Sequence, residues 1–372
     1  MAERFYLPSL DGIRAVCATA VVVGHGIFRP GFPEAWRPAS LYVIDGQLAV
    51  MTFFVLSGFL ITLLLAREEA ENGSVSLFQF YVRRFLRIVP VYLLYLGAMA
   101  VLVWTTVFEM GPCEWATALT YTKNYGCGTP LDGHLWSLSV EEQFYLVWPF
   151  VFALLAIRGR LVFAGALILA APLFRVWFYG TDTGLYLFSF MTNMDALLIG
   201  SVVGLMYHRR PEDVRRIVEW RPAVGRAGAA VAVYAIWVLR LQYTLAPLTV
   251  TLGTTIQSLG VVYLIASYAT VRRGAVYDLL NLRPVRYVGV LSYSLYVWQQ
   301  PFTIDAATYG FETTPPLMAF PFNVAAPFLV AALSYHALEM PLVGLRRRFR
   351  AHKEIHGRLE AATEGRPPSP AG

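Results

Sequence analysis

Apolar runs about twenty residues long recur along the whole chain, at roughly 10–29, 46–66, 89–108, 138–157, 160–180, 185–207, 227–245, 247–271, 286–306 and 319–345. Polar connections separate them. Twenty residues is the length a helix needs to cross ~30 Å of hydrocarbon at ~1.5 Å per residue. Backbone that is not hydrogen-bonded internally cannot face lipid, so the runs read as helices rather than strand pairs. The pattern predicts an all-α polytopic membrane protein of about ten transmembrane helices. The membrane domain fills 1–345, and residues 346–372 form a basic tail whose Pro-, Gly- and Ala-rich end is expected to be disordered.

Composition agrees: the 372 residues are 57% hydrophobic and only 15% charged, where soluble domains carry about 25% charged residues. The placement of the positive charge then orients the helices. Of the 30 Lys and Arg, 24 fall in alternate connections and the two ends, among them Arg67, Arg83, Arg84, Arg87, Arg158, Arg160 and the arginines between 209 and 226. The opposite side holds only Arg29, Arg37, Lys123 and Arg240, while Arg14 and Arg175 lie within spans. Both termini are therefore expected in the cytoplasm. The net charge of +6 needs no nucleic-acid partner to explain it. The first apolar run begins after Leu10 and carries Asp11 and Arg14, so it does not read as a cleavable signal peptide. No appended soluble domain, internal repeat, P-loop or GxGxxG is evident, and any chemistry is expected within the bundle.

Ionisable residues at membrane depth are costly and are candidates for function. In LDGIRAVCATAVVVGHGIF, Arg14 and His25 stand eleven residues apart, which returns them to one helix face, about 16 Å apart along the axis. Asp11, three residues before Arg14, is placed to pair with it. Arg14 also reads as a snorkelling anchor, and His25 as a structural histidine bonded to a neighbouring helix; their common face and the suitability of imidazole for proton transfer near neutral pH favour function. A second cluster, HLWSLSVEEQFYLVWP, places His134, Glu141 and Glu142 at the outer mouth, where a carboxylate would orient His25 or contact a hydroxyl. Its aromatics, Trp136 included, read equally as an interface belt. A third, RRFLR, puts Arg84 and Arg87 on one face, suited to bidentate phosphate binding or to plain inside charge. Asp195 and Glu339 are further internal polar positions without an evident role. Cys17 reads as a small buried hydrophobe. Cys113 and Cys127 share one external connection, and the sequence leaves open whether they are bridged. No zinc-like spacing occurs, and no catalytic metal is expected.

Taken in order, these segments resemble the acyltransferase-3 family of integral-membrane acyltransferases, which includes bacterial surface-glycan O-acetyltransferases. The resemblance runs from SLDGIRAV to SYHALEMP. It rests on the Arg14–His25 spacing, FFVLSGFLIT (53–62), the RxxR pair Arg84 and Arg87, WSLSVEEQFY (136–145) and SYSLYVW (292–298). It implies a multi-pass protein of the bacterial inner membrane that takes an acyl group, usually acetyl, from cytoplasmic acyl-CoA to a hydroxyl of a glycan, a lipid-linked saccharide or another metabolite. Acetyl-CoA would be a co-substrate, with no bound cofactor. His25 is implied as the central catalytic residue, general base or transient acyl carrier, with Glu141 assisting. Arg14, Arg84 and Arg87 are implied in donor binding, and Asp11, Trp136, Glu142 and His134 are expected as supporting residues of the site. One departure stands out: many members have a histidine before the proline that closes the SYSLYxW segment, where this chain reads WQQP with Gln299 and Gln300. Gln cannot accept a proton at neutral pH, so no second-histidine role transfers to this position. The rival reading is a transporter or flippase with Arg14, His25, Asp195 and Glu339 along its path.

Overall fold

A computed structural model describes residues 6–105, 108–242 and 244–342. The basic tail 346–372 lies outside the described residues. Helices and turns make up the described chain, with no strand among these residues. Ten helices of 13 residues or more fall on the ten apolar runs: α1 (Pro8–Gly26), α2 (Gly46–Asn72), α3 (Leu77–Thr105), α4 (Leu135–Leu154), α5 (Ile157–Tyr179), α6 (Phe190–Arg209), α7 (Pro222–Leu241), α8 (Gly253–Thr270), α9 (Arg283–Trp298) and α10 (Phe322–Ser334). By length and composition, five stretches suffice to cross a membrane: Glu34–Asn72, Leu77–Thr105, Ile157–Tyr179, Thr183–Arg209 and Pro222–Leu241. Of the others, α1 and α4 carry ionisable residues, α9 and α10 are short at 16 and 13 residues, and the uncharged α8 is made less apolar by its Thr, Ser and Gln.

Local chemistry sets the ends. Pro8 opens α1, where its missing N–H costs nothing. The Asp45 carboxylate accepts from Gln47 N at 2.8 Å and caps α2. Gly73, at φ 71°, closes the same helix in the left-handed region. Two helices run past their apolar runs: α2 continues to Asn72, and α3 starts at Leu77, a full twelve residues before the predicted 89. Both extensions are polar helix whose charges meet. Glu68 binds Arg83 at 2.7 Å, and Glu69 binds Arg160 at 2.6 Å and Arg209 at 3.0 Å. Residues that the charge pattern assigns to one side therefore come together at one end of the bundle. At the other end, Arg29 reaches Asp305 at 3.7 Å and Phe320 N donates to Pro30 O at 2.8 Å.

The helix α2 forms the centre, packed most extensively on α6, while α1 lies along α9. Both crossings are set by glycine. A Cβ at Gly58 would stand 1.8 Å from Leu197 O, and one at Gly289 would stand 1.9 Å from Asp11 O. Such backbone contact is how membrane helices associate where apolar burial gives no drive. The outward faces are apolar: on α5, Leu169 is 76% and Trp177 73% exposed. A continuous apolar exterior of this kind fits lipid and not water.

Between α3 and α4 the connection is pinned from within. Cys113 and Cys127 are joined by a disulfide, which answers the question the sequence left open. Lys123 is buried in an ion pair with Asp132 and donates to Glu114 O at 2.9 Å and Cys127 O at 2.6 Å. Cys17 is buried and free, as expected.

Candidate functional site

A cavity of about 370 Å³ opens among α1, α2, α3, α4 and α9. Its polar lining contains Asp11 and Arg14 from α1, Arg84 and Arg87 from α3, and Glu141 and Glu142 from α4; Phe53, Leu60 and Ile61 of α2 supply apolar wall. Six of the nine residues singled out from sequence thus meet in one place, although they come from three helices. The arginines reach it because α3 begins early. Its first turns carry RRFLR alongside α4, and the Arg84 guanidinium lies 3.6 Å from the ring centre of Tyr145. The cation–π contact holds its plane, and Arg84 Nε is buried without a hydrogen-bond partner. Arg83 turns away to Glu68.

The carboxylates are held as firmly. Ser57 of FFVLSGFLIT donates its hydroxyl to Glu141 Oε1 at 2.7 Å. Arg84 and Arg14 both lie within electrostatic reach of Glu141, and Arg87 and Arg14 within reach of Glu339. Asp11 does not pair with Arg14 as its spacing suggested. It accepts from Tyr6 Oη at 2.5 Å.

His25 lies elsewhere. It ends α1 at the opposite pole from Arg14, about 16 Å along the axis, outside the cavity lining, and it keeps an exposed surface. Its Nδ1 stands 2.9 Å from Gln299 Oε1. Glu141, expected beside His25 or the acceptor, instead faces the arginines, and Gln299 takes the place beside the imidazole. The reason is register: Glu141 sits about two turns into α4, towards the cavity, while the α4 entrance lies level with the end of α9. His134 occupies that entrance, buried, with Nε2 3.1 Å from Val297 O and Nδ1 without a partner. Tyr296 Oη donates to His134 O at 2.9 Å and lies 2.5 Å from Ser137 Oγ. Trp136 is packed edge-on against Phe54 and tilted against Phe188, so it belongs to the bundle packing and not to the cavity wall.

Two residues went unassigned in the sequence reading. Ser57 lay inside a family-like segment but its partner is 84 positions away. Ser292 Oγ, buried on the cavity wall without a partner, could have been found only from its place in SYSLYVW. Asp195, considered for a transport path, is bound to Arg175 at 2.5 Å and to Thr255 Oγ1 at 2.5 Å, with both charges buried. It is a structural ion pair, away from the cavity. Among the described residues no cluster of ligating side chains could hold a metal.

A polar cavity walled by apolar helices, with arginines at one pole of α1 and an imidazole at the other, makes a candidate site within a bundle of apolar helices. The acyltransferase-3 family model, described as an acyltransferase domain, matches residues 7–336, and the chain belongs to that family. Over 91% of its length it is 28% identical to the peptidoglycan O-acetyltransferase OatA of Listeria monocytogenes and 27% identical to the O-acetyltransferase OatA of Staphylococcus aureus, covering 56% and 57% of those proteins. It is 26% identical to the putative peptidoglycan O-acetyltransferase YrhL of Bacillus subtilis, covering 55% of it. The chain thus spans little more than half the length of these relatives. No solved structure matches it.

Proposed function

We propose that this chain is an O-acyltransferase of the bacterial inner membrane that moves an acetyl or other short acyl group from cytoplasmic acyl-CoA to a hydroxyl of a cell-envelope glycan. Peptidoglycan is the acceptor class favoured by the names of its relatives. All ten helices cross the bilayer in this reading, with both termini in the cytoplasm and the charge-bridged end of the bundle facing inward.

The observation that carries the reading is the convergence of Arg14, Arg84 and Arg87 on one cavity. Guanidinium groups bind phosphate oxygens bidentately, and Arg84 has a buried Nε free to donate. These three groups take the phosphates of the donor, which carries the acyl thioester on a thin arm suited to the space along α1. At the other pole, His25 Nε2 takes the proton of the acceptor hydroxyl as its oxygen bonds to the acyl carbon. The carbon–sulfur bond breaks, and the proton passes from the imidazolium to the leaving thiolate. The same nitrogen would serve if the acyl group rested on His25 before transfer. Glu141, held by Ser57, balances the arginines while the cavity lacks donor.

Proteoliposomes of purified protein, loaded with radiolabelled acetyl-CoA and offered peptidoglycan fragments outside, test the reading. Label should appear on the fragments with wild type and vanish with His25→Ala at equal protein level. Transfer by His25→Ala would remove the base, and transfer of label only when acetyl-CoA is replaced by another donor would remove the CoA assignment.

A further inference from the structure

We propose that Gln299 and Gln300 are positioning residues that hold His25 in a single tautomer, with Nδ1 protonated and Nε2 bare. One chain of hydrogen bonds reaches the imidazole from a backbone carbonyl. Gln300 Nε2 donates to Pro130 O at 2.6 Å, Gln299 Nε2 donates to Gln300 Oε1 at 3.1 Å, and Gln299 Oε1 faces His25 Nδ1 at 2.9 Å. A backbone carbonyl can only accept. It therefore fixes the Gln300 amide with its nitrogen towards Pro130 and its oxygen towards Gln299. That oxygen in turn demands the Gln299 nitrogen, which leaves the Gln299 oxygen for the imidazole. An acceptor at that place requires N–H on Nδ1, and in the neutral ring the proton is then absent from Nε2.

The orientation cannot be reversed cheaply. Turning Gln299 alone would set its oxygen against Gln300 Oε1, and turning both would set the Gln300 oxygen against Pro130 O. Gln299 is fully buried, so water cannot relieve the clash between the two amides. Thr303 Oγ1, 3.1 Å from Gln299 Oε1, supplies a hydroxyl that can donate to the same oxygen. The anchor is itself rigid. Pro130 sits between Thr129 and Asp132, whose carboxylate accepts from Thr129 N at 2.6 Å and Thr129 Oγ1 at 2.7 Å, and Asp132 is locked to Lys123. The tautomer of His25 is thus set from the disulfide-pinned connection, through two amides. It leaves Nε2, the nitrogen away from Gln299, as the one that can take a proton or an acyl group.

The chemical use of Nε2 rests on the function proposed above; the tautomer does not. Nitrogen-15 spectra of histidine-labelled full-length protein in detergent, with the His25 signals identified by their loss in His25→Ala, read it directly. Wild type should show a protonated Nδ1 and a bare Nε2 once the ring is neutral. Gln299→Met should lose that preference and transfer about 10–100-fold less. Gln300→Met should loosen it through Gln299. Gln299→Glu, which still accepts from Nδ1, should keep the tautomer and most of the activity, and its added negative charge should carry the acid limb of the pH profile upward. Arg29 and His134 also lie within electrostatic reach of His25 and are the same in every variant. A wild-type ring protonated on Nε2, or an unchanged tautomer in Gln299→Met, would overturn the inference even if transfer is intact. Activity in His25→Ala would instead defeat the base assignment and leave the spectral result to judge the amides alone.

Discussion

The hydroxyl of Ser57 on α2 and the carboxylate of Glu141 on α4 are joined at 2.7 Å, a bond between the FFVLSGFLIT and WSLSVEEQFY segments that neither segment reveals alone. It fixes a carboxylate opposite the arginines of the cavity. Ser57→Ala removes the donor and leaves Glu141 Oε1 without it, a change of about 1–3 kcal/mol for a charged acceptor in a shielded site. Acyl transfer in isolated membranes should fall roughly 5-fold or more at unchanged protein level. A Ser57→Ala rate equal to wild type would mean that Glu141 holds its place without the serine.

Gly58, the next residue, is turned about 100° around the helix and has a different task. Its Cα side meets Leu197 O of α6, where a Cβ would lie at 1.8 Å. Gly58→Leu cannot be accommodated without separating the two central helices, so a loss of about 3 kcal/mol or more is expected. Thermal unfolding in detergent should show a clear drop in midpoint, together with lower yield. Adjacent substitutions in one motif would then separate by phenotype: activity for Ser57, stability for Gly58.

How far the chain could be read in advance follows from the physics of each signal. Apolar run length reports burial in lipid or core, and it located α1 to α10. It could not mark where polar helix continues, so the start of α3 at Leu77 and the end of α2 at Asn72 were missed. Helical spacing correctly put Arg84 and Arg87 on one wall, but it pairs residues only within an element. The bonds that define the site cross between elements: Ser57 to Glu141 over 84 positions, His25 to Gln299 over 274. Gln299 was noticed only as a departure from a family pattern, since nothing in its own neighbourhood indicates an imidazole partner. Asp11 illustrates the converse, a local pairing with Arg14 that loses to a contact with Tyr6.

Arg175 and Asp195 offer a stability test separate from the site. Arg175 is 2% exposed, bonded to Asp195 Oδ1 and to the carbonyls of Thr192 and Thr251. Breaking such a buried pair from one side is expected to cost about 3–5 kcal/mol, whereas replacing both partners with apolar residues costs much less. Arg175→Met and Asp195→Leu should each depress the melting temperature, and the double variant should recover most of it. A transport path through Asp195 makes the contrary prediction, that the stable double variant is inactive.

The disulfide tests the topology. Cys113 and Cys127 close a loop across 14 positions, and bridges of this length stabilise by about 3 kcal/mol. They persist only in oxidising compartments, so the connection between α3 and α4 should lie outside the cytoplasm. Alkylation of protein from native membranes should modify neither cysteine until reductant is added. Free thiols at both positions would place the connection inside and reverse the proposed orientation of every helix.

Arg84 gives the most direct test of how the donor is held. Its guanidinium stacks on Tyr145 at 3.6 Å and lines the cavity with Arg14 and Arg87. Lysine would keep the charge but lose the planar stack and the paired N–H groups, so charge and geometry can be separated. Arg84→Ala removes charge-assisted hydrogen bonds of about 1.5–3 kcal/mol, which corresponds to a rise in the donor KM of roughly tenfold or more, with kcat changed little at saturation. Arg84→Lys should fall between wild type and Arg84→Ala. Titrating acetyl-CoA at fixed acceptor in proteoliposomes measures both constants. A normal KM with a collapsed kcat would move Arg84 from donor binding to the transfer step, and a normal KM and kcat together would leave it as inside charge alone.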